Sequence, residues 1–367
     1  CILIWLITYK SRILIVYSRS FLLFVFLFLV HFCITLLYYI NLITEKHFLS
    51  FVMLFFIFIS GFLLSEQLKN FDKKKLISVF KINSIFFIFL GFLSLVLEID
   101  LFNYSSLGKP IFPFSEPRHY VTATSGILLA TSFYISNFSK ILLIGIISLF
   151  AFYYQSLLFL VLSLMIIFVQ YILDYKRNFF TIFLLLFLIF NIFNLSEPGN
   201  YFTERLDFSI ENSNLSSLTY IQGWSDIYYS LSATNGFGLG FQNMGSLPPS
   251  EISELIYNLV AGGKYLNRND GSFLISKIVS EFGLIGILFV VSYLIQFFKS
   301  MFYLKKIIRL KVSPNSHRSV SLVFAHSVIV AFFAEMFFSG AGYFTPGVLL
   351  VIVSYFLIQE NNRIDNN

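Results

Sequence analysis

The residues of this chain most able to do chemistry fall in four short stretches. The first is Phe112-Pro-Phe-Ser-Glu-Pro-Arg-His-Tyr120. Two prolines stiffen it, and Glu116, Arg118 and His119 stand together at the mouth of the next apolar run. A carboxylate, a guanidinium and an imidazole could act as base, phosphate clamp and proton relay. The plainer alternative is a solvated loop in which Glu116 and Arg118 pair with each other. The second stretch joins Tyr220-Ile-Gln-Gly-Trp-Ser-Asp226 to Thr234-Asn-Gly-Phe-Gly-Leu-Gly-Phe-Gln-Asn-Met-Gly245. Its glycines would let backbone N–H groups approach an anion. Dinucleotide binding by the GxGxG spacing needs a strand, a turn and a helix in succession, which are lacking here. The stretch therefore reads as a tight turn between surface helices. The third is Leu266-Asn-Arg-Asn-Asp-Gly-Ser-Phe273, which leads into an apolar span carrying Lys277 and Glu281. These two are four apart and share a helix face, with Asp270 on the same stripe. At about 1.5 Å per residue, Glu281 would lie roughly 14 Å below the start of its helix. Ionisable groups at that depth are costly and usually line a cavity, so this face is expected to border water. The fourth is Ala334-Glu-Met-Phe-Phe-Ser-Gly-Ala-Gly-Tyr-Phe-Thr-Pro346, where Gly340 and Gly342 predict a hairpin between two spans. Glu335 could face the same cavity or reach the outer interface. His31 and His326 fall mid-span and read as helix–helix hydrogen bonds.

The elements that must position these residues are membrane helices. Of the 367 residues 57% are hydrophobic and only 12% charged, where a soluble domain is about a quarter charged. The apolar residues fall in long runs, which points to spans rather than to one large core. Ten spans are expected near 20–43, 47–64, 76–97, 121–137, 141–155, 156–173, 178–195, 272–298, 319–338 and 341–358. The fold class is thus an all-α, polytopic helical bundle: transmembrane helices over 20–97, 121–195 and 272–358, a loop over 98–120 and a much larger one over 196–271. The large loop carries its own pattern, with Tyr220, Trp224, Ile227 and Leu231 at helical spacing. Ile252, Leu255, Ile256 and Leu259 repeat it, after Pro249-Ser250 and before Gly262-Gly263. Both read as short amphipathic helices on the bilayer surface, with Trp224 and Tyr228 at headgroup level.

The net charge of +6 reports orientation before any nucleic-acid partner, and none is expected. Alternating the connections puts 17 of the 25 Lys and Arg on one side and 6 on the other, with Lys81 and Lys277 inside spans. The richer side, which includes 1–19 and 359–367, is then cytoplasmic. Two cysteines, Cys1 and Cys33, offer neither a disulfide framework nor a metal site. Starting at Cys1 rather than Met, the chain is expected to be truncated at its N-terminus. Residues 1–9 lack the charged lead and cleavage site of a signal peptide.

Taken in order, these stretches resemble the O-antigen polymerase family, the oligosaccharide repeat-unit polymerases grouped with the O-antigen ligases. The resemblance covers about 110–345. It is carried by Phe114-Ser-Glu-Pro-Arg-His-Tyr120, Tyr220-Ile-Gln-Gly-Trp224 and Asn235-Gly-Phe-Gly-Leu-Gly-Phe-Gln242. It continues through Asn269-Asp-Gly-Ser-Phe-Leu-Ile-Ser-Lys-Ile-Val-Ser-Glu-Phe-Gly283, the most specific piece, and Gly340-Ala-Gly-Tyr-Phe344. Two positions depart: Arg118 stands where a small residue is expected, and Ser339 where an Arg often precedes the glycine turn.

The resemblance implies transfer of a glycan from undecaprenyl pyrophosphate to a sugar hydroxyl of the next lipid-linked repeat unit, at the outer face of the bacterial inner membrane. Pyrophosphate leaves readily once its charge is offset, so cationic clamps are needed first. The candidates are Arg118, Arg205, Lys264, Arg268 and Lys277. Glu116, His119 and Glu281 are the candidate bases. Trp224, Tyr228, Tyr265 and Asn269 could stack on or hydrogen-bond the sugars, with Asp270 and Glu335 on the cavity face. No Asp-x-Asp motif occurs in the outer loops, and no metal or other cofactor is expected. Partners would be the lipid-linked oligosaccharides, membrane lipids, a flippase and a chain-length regulator. A ligase of the same group is the nearest alternative, although 196–271 lacks the His expected of it. A lipid-linked oligosaccharide flippase or other transporter would carry charge along more of its spans.

Overall fold

In a hydrocarbon setting each backbone N–H and C=O must be satisfied within its own segment, so long runs of Phe, Ile and Leu become helices. A computed structural model describes residues 19–38, 45–97, 99–101, 109–114, 116–171, 202–205, 207, 214–260, 263–310, 317–340 and 342–366. Its main helices are α1 (Arg19–Tyr38), α2 (Glu45–Asn70), α3 (Lys73–Leu97), α4 (Pro117–Thr131), α5 (Asn137–Tyr153) and α6 (Leu157–Gln170). They continue with α7 (Leu215–Ala233), α8 (Glu251–Leu259), α9 (Leu274–Leu310), α10 (His317–Ala331), α11 (Phe333–Phe338) and α12 (Pro346–Asn366). Among the described residues there is no strand, only an isolated bridge between Ile111 and Phe114.

Four helical stretches are long and apolar enough to cross a membrane: His47–Lys69, Lys73–Leu97, Leu274–Arg309 and Val320–Phe338. Shorter apolar helices lie at Val25–Thr35, Asn137–Tyr153, Leu157–Gln170 and Pro346–Gln359. The protein is therefore a helical membrane protein. The expected span 178–195 lies outside the described residues, as do 1–18 and parts of both expected loops.

The stretch Val320–Phe338 is 89% buried where the other three are 22–33%, so α10 with α11 forms the central pillar. It packs on α12, α4 and α9. Small residues permit the contacts: a Cβ on Gly126 would strike Val328, and one on Gly61 would strike Ile352. Buried polar pairs add direction, with Ser84 Oγ 2.7 Å from Thr131 Oγ1 and Gln170 donating to Ser132 Oγ at 2.7 Å. His326 Nδ1 lies 2.9 Å from Ser300 Oγ, the helix–helix hydrogen bond its mid-span position suggests. The outer faces present Phe55 and Phe56 of α2, Ile85 and Phe89 of α3, and Leu284, Leu288, Val291, Ile295, Phe298 and Phe302 of α9. The α9 series repeats at intervals of three or four, a single apolar stripe suited to lipid.

Several boundaries differ from the sequence expectation. The helix expected over 121–137 runs over Pro117–Thr131. Pro117 is preset for the first helical position, and the Tyr120 hydroxyl donates to the Phe87 carbonyl at 2.7 Å, anchoring the first turn. Arg118 and His119 are therefore helical rather than part of a loop. The division between the expected spans 141–155 and 156–173 is a true break, with Gln155 at φ 48°. The span expected to end at 298 continues to Leu310, because Lys299, Lys305, Lys306 and Arg309 are good helix formers that can reach for water from a helix. The same helix is interrupted at Gly283 (φ 57°, ψ −132°).

Candidate functional site

The interruption at Gly283 organises everything around it. A broken helix leaves backbone groups without their i to i+4 partners, here the carbonyls of Ser280 and Glu281 and the N–H of Leu284. The glycine-rich turn supplies all three. Leu239 N–H donates to Ser280 O at 2.9 Å, Gly240 N–H donates to Glu281 O at 2.8 Å, and Gly236 O accepts from Leu284 N–H at 2.9 Å. Main chain meets main chain so closely that Gly238, at φ +85°, has no room for a Cβ, which would collide with the Glu281 carbonyl and the Gly283 nitrogen. The turn is thus a plug in the helix break, not merely a link between surface helices.

Glu281 completes the plug from its side chain. Its Oε2 accepts from Gln242 N–H at 2.9 Å and from the Tyr343 hydroxyl at 2.7 Å, while Oε1 accepts from Met244 N–H at 3.4 Å. Lys277 Nζ lies 3.7 Å from Glu281 Oε1 and 3.7 Å from Asp270 Oδ1, and donates to the Asn269 carbonyl at 2.9 Å. Lys277 is 1% exposed and Glu281 fully buried, whereas Asp270 is 68% exposed on the rim. This corrects the expectation that the Lys277–Glu281 face borders water. Protein closes over it, because the turn and Tyr343 take the positions water would have filled. Glu335 is likewise sealed: Thr345 donates to it, and Gly347 leaves space for its carboxylate, which pins the hairpin before α12.

The open region lies beside the plug. Asn214 caps α7 by accepting from Ser216 N–H (3.0 Å) and Ser217 N–H (3.1 Å), and Ser250 caps α8 by accepting from Ser253 N–H (3.3 Å). Gln222 then donates to Ser253 Oγ at 3.0 Å and joins the two helices. Gly223 presses on Phe273, so α7 also seats on the start of α9. Between them lies a small, partly open cleft, lined by Asp226, Ser230, Met244, Leu247, Ser250 and Arg268 among others. The Arg268 guanidinium donates to the Leu247 carbonyl and lies 5.0 Å from the centre of the Tyr265 ring, whose hydroxyl donates to Glu254 at 2.8 Å. Its remaining N–H groups meet no protein acceptor among the described residues. Burial pushes the Asp226 carboxyl up to about 6, against the opposing pull of Arg268. Asp226 takes no hydrogen bond or ion pair from any described residue.

The expected site residues therefore divide. Lys277, Glu281, Asp270 and Asn269 come together at the plug, and Arg268 turns into the cleft. Trp224 leans on Phe273 with ring centres 5.0 Å apart and is 45% exposed, while Tyr228 is 76% exposed on the outer face of α7. Lys264 is exposed on the segment before α9. Arg205 sits in the turn 202–205, where its carbonyl accepts from Ser217 Oγ at 2.9 Å beside the start of α7. Glu116 and Arg118 pair at the head of α4, Nη2 to Oε1 2.9 Å, with His119 in the same turn. Sequence reasoning passed over two residues. Tyr343, which ties the hairpin to Glu281, stood in the Gly340-Ala-Gly-Tyr-Phe344 stretch but was given no role. Asp226 had one: it is the single charged residue of α7. No protein-family model, curated protein or solved structure matches the chain.

Proposed function

We propose that this chain polymerises undecaprenyl-pyrophosphate-linked oligosaccharide repeat units, by glycosyl transfer at the periplasmic face of the bacterial inner membrane. On this reading the chain has ten spans, 98–120 and 196–271 are periplasmic, and a flippase and a chain-length regulator are its partners. The observation that carries it is Arg268. A guanidinium braced by the Leu247 carbonyl, with donors to spare, borders an open cleft six residues before Leu274, where α9 and its membrane-spanning run begin. That is where the head of a lipid-linked pyrophosphate would meet protein, and a fork of N–H donors matches its oxygens. Ser230 and Ser250 offer hydroxyls for sugars in the same cleft.

Deleting the gene in its host and complementing with variants tests this reading. The deletion should leave at most one repeat unit on the lipid A core on silver-stained lipopolysaccharide gels. Arg268→Ala, at normal protein level by blot, should shorten the ladder as the deletion does, and Arg268→Lys should restore part of it, because an ammonium is a point charge. A bare core with accumulated lipid-linked polymer, or full ladders without the gene, would reject the polymerase.

A further inference from the structure

We infer that Asp226 accepts the proton of the attacking sugar hydroxyl, from the wall of the cleft that Arg268 also lines; the inference rests on the polymerase reading above. A base needs reach, a vacant lone pair and suitable basicity. Of the other carboxylates near the described features, Asp270 and Glu251 do not line the cleft, and the rest are already engaged. Glu116 is closed by Arg118 from both Nη2 and Nε, Glu281 and Glu335 are sealed and hydrogen-bonded, and Glu254 is held by the Tyr265 hydroxyl. Asp226 lines an open cleft and has no hydrogen-bond or ion-pair partner among the described residues. Its place is fixed from below. Gln222, one turn earlier on α7, is tied to Ser253, and Gly223 is pressed on Phe273, so this segment of α7 cannot rotate Asp226 out of the cleft.

The step balances. The bond from the acceptor oxygen to the donor's anomeric carbon forms as the bond from that carbon to the pyrophosphate oxygen breaks. The hydroxyl proton passes to Asp226, and the electron pair of the broken bond leaves on undecaprenyl pyrophosphate, whose charge Arg268 offsets. A carboxyl titrating near 6 is ionised at neutral pH and still basic enough to take a proton in the transition state.

The test is turnover of purified protein in proteoliposomes containing a lipid-linked repeat unit. Asp226→Asn should lower kcat about 100-fold or more with little change in KM. Its thermal unfolding temperature should hold or rise, since Asn removes a charge that burial disfavours; a structural carboxylate would behave oppositely. Asp226→Glu should keep a few per cent of turnover. The wild-type rate should fall as pH drops through about 6, because the protonated acid cannot accept a proton. Wild-type turnover by a folded Asp226→Asn variant overturns the inference and leaves the polymerase reading standing. Should that variant not fold, a wild-type profile without the acid limb overturns it equally. Failure of the wild type itself to extend the substrate removes both.

Discussion

Glu281 and Asp226 are two carboxylates on neighbouring elements with opposite surroundings. Glu281 receives two backbone N–H groups and a tyrosine hydroxyl, and faces a buried lysine. Taking it away would leave the buried Lys277 with only the exposed Asp270 as counter-charge and would strand three donors. Glu281→Ala should therefore cost about 3–5 kcal/mol, measured as loss of thermal stability in detergent. Glu281→Gln keeps an acceptor and should cost less, and the fraction that folds should keep its turnover. A stable but inactive Gln variant would return Glu281 to the list of bases. The pattern Lys277–Glu281 was plain in the sequence, as was Arg268. The role of Glu281 was not, because its partners are main-chain N–H groups that any residue could donate. Asp226 stood out only as a lone charge, and which wall of which cleft it would occupy depends on α8 and 247–249 packing opposite.

At the scale of elements, the plug in α9 is the least expected feature. A helix may be broken in a membrane only where protein re-satisfies the freed groups, and the glycine turn does this with three backbone hydrogen bonds. The consequence can be tested at Gly238. Gly238→Ala adds a Cβ where φ is +85° and the Glu281 carbonyl is in contact, so the turn must withdraw. We expect a loss of roughly 1–3 kcal/mol and a matching fall in folded yield by size-exclusion fluorescence. Gly145→Ala on α5 is the comparison, since a Cβ there meets nothing within 4 Å and should be neutral or stabilise by up to about 1 kcal/mol. Equal behaviour of the two would mean that the turn does not seat in the break. One cap was legible in advance: Ser250 before α8 acts as its residue type predicts.

For the whole molecule, orientation follows from charge. The connection between α2 and α3 carries Lys69, Lys73, Lys74 and Lys75, and the positive-inside rule predicts that it is cytoplasmic. On the proposed topology Tyr228, on the exposed face of α7, lies on the opposite side. In a background without Cys1 and Cys33, an impermeant thiol reagent applied to intact spheroplasts should label Tyr228→Cys and spare Lys74→Cys. The reverse pattern would invert the orientation and remove a periplasmic site altogether.

Composition and period were enough to establish a helical membrane protein, the existence of most of its helices, the helix pair α7 and α8, and a cluster of charged and polar residues near 266–281. All of that is encoded within one or two turns of chain, where apolar spacing, a capping hydroxyl or a proline acts on its immediate neighbours. What only the folded chain decided is which groups face each other. Ser-Glu-Phe-Gly-Leu-Ile reads as an unbroken apolar helix until the turn at 234–245 is laid against Gly283. Lys277 and Glu281 look like the wall of a wet cavity until Tyr343 and Gln242 close over them. Asp226 and Arg268 become one cleft only when Gly223 is seated on Phe273. The physical reason is common to the three. Contacts between distant segments rest on backbone hydrogen bonds and on space left by absent side chains, and neither is written in the identity of any one residue.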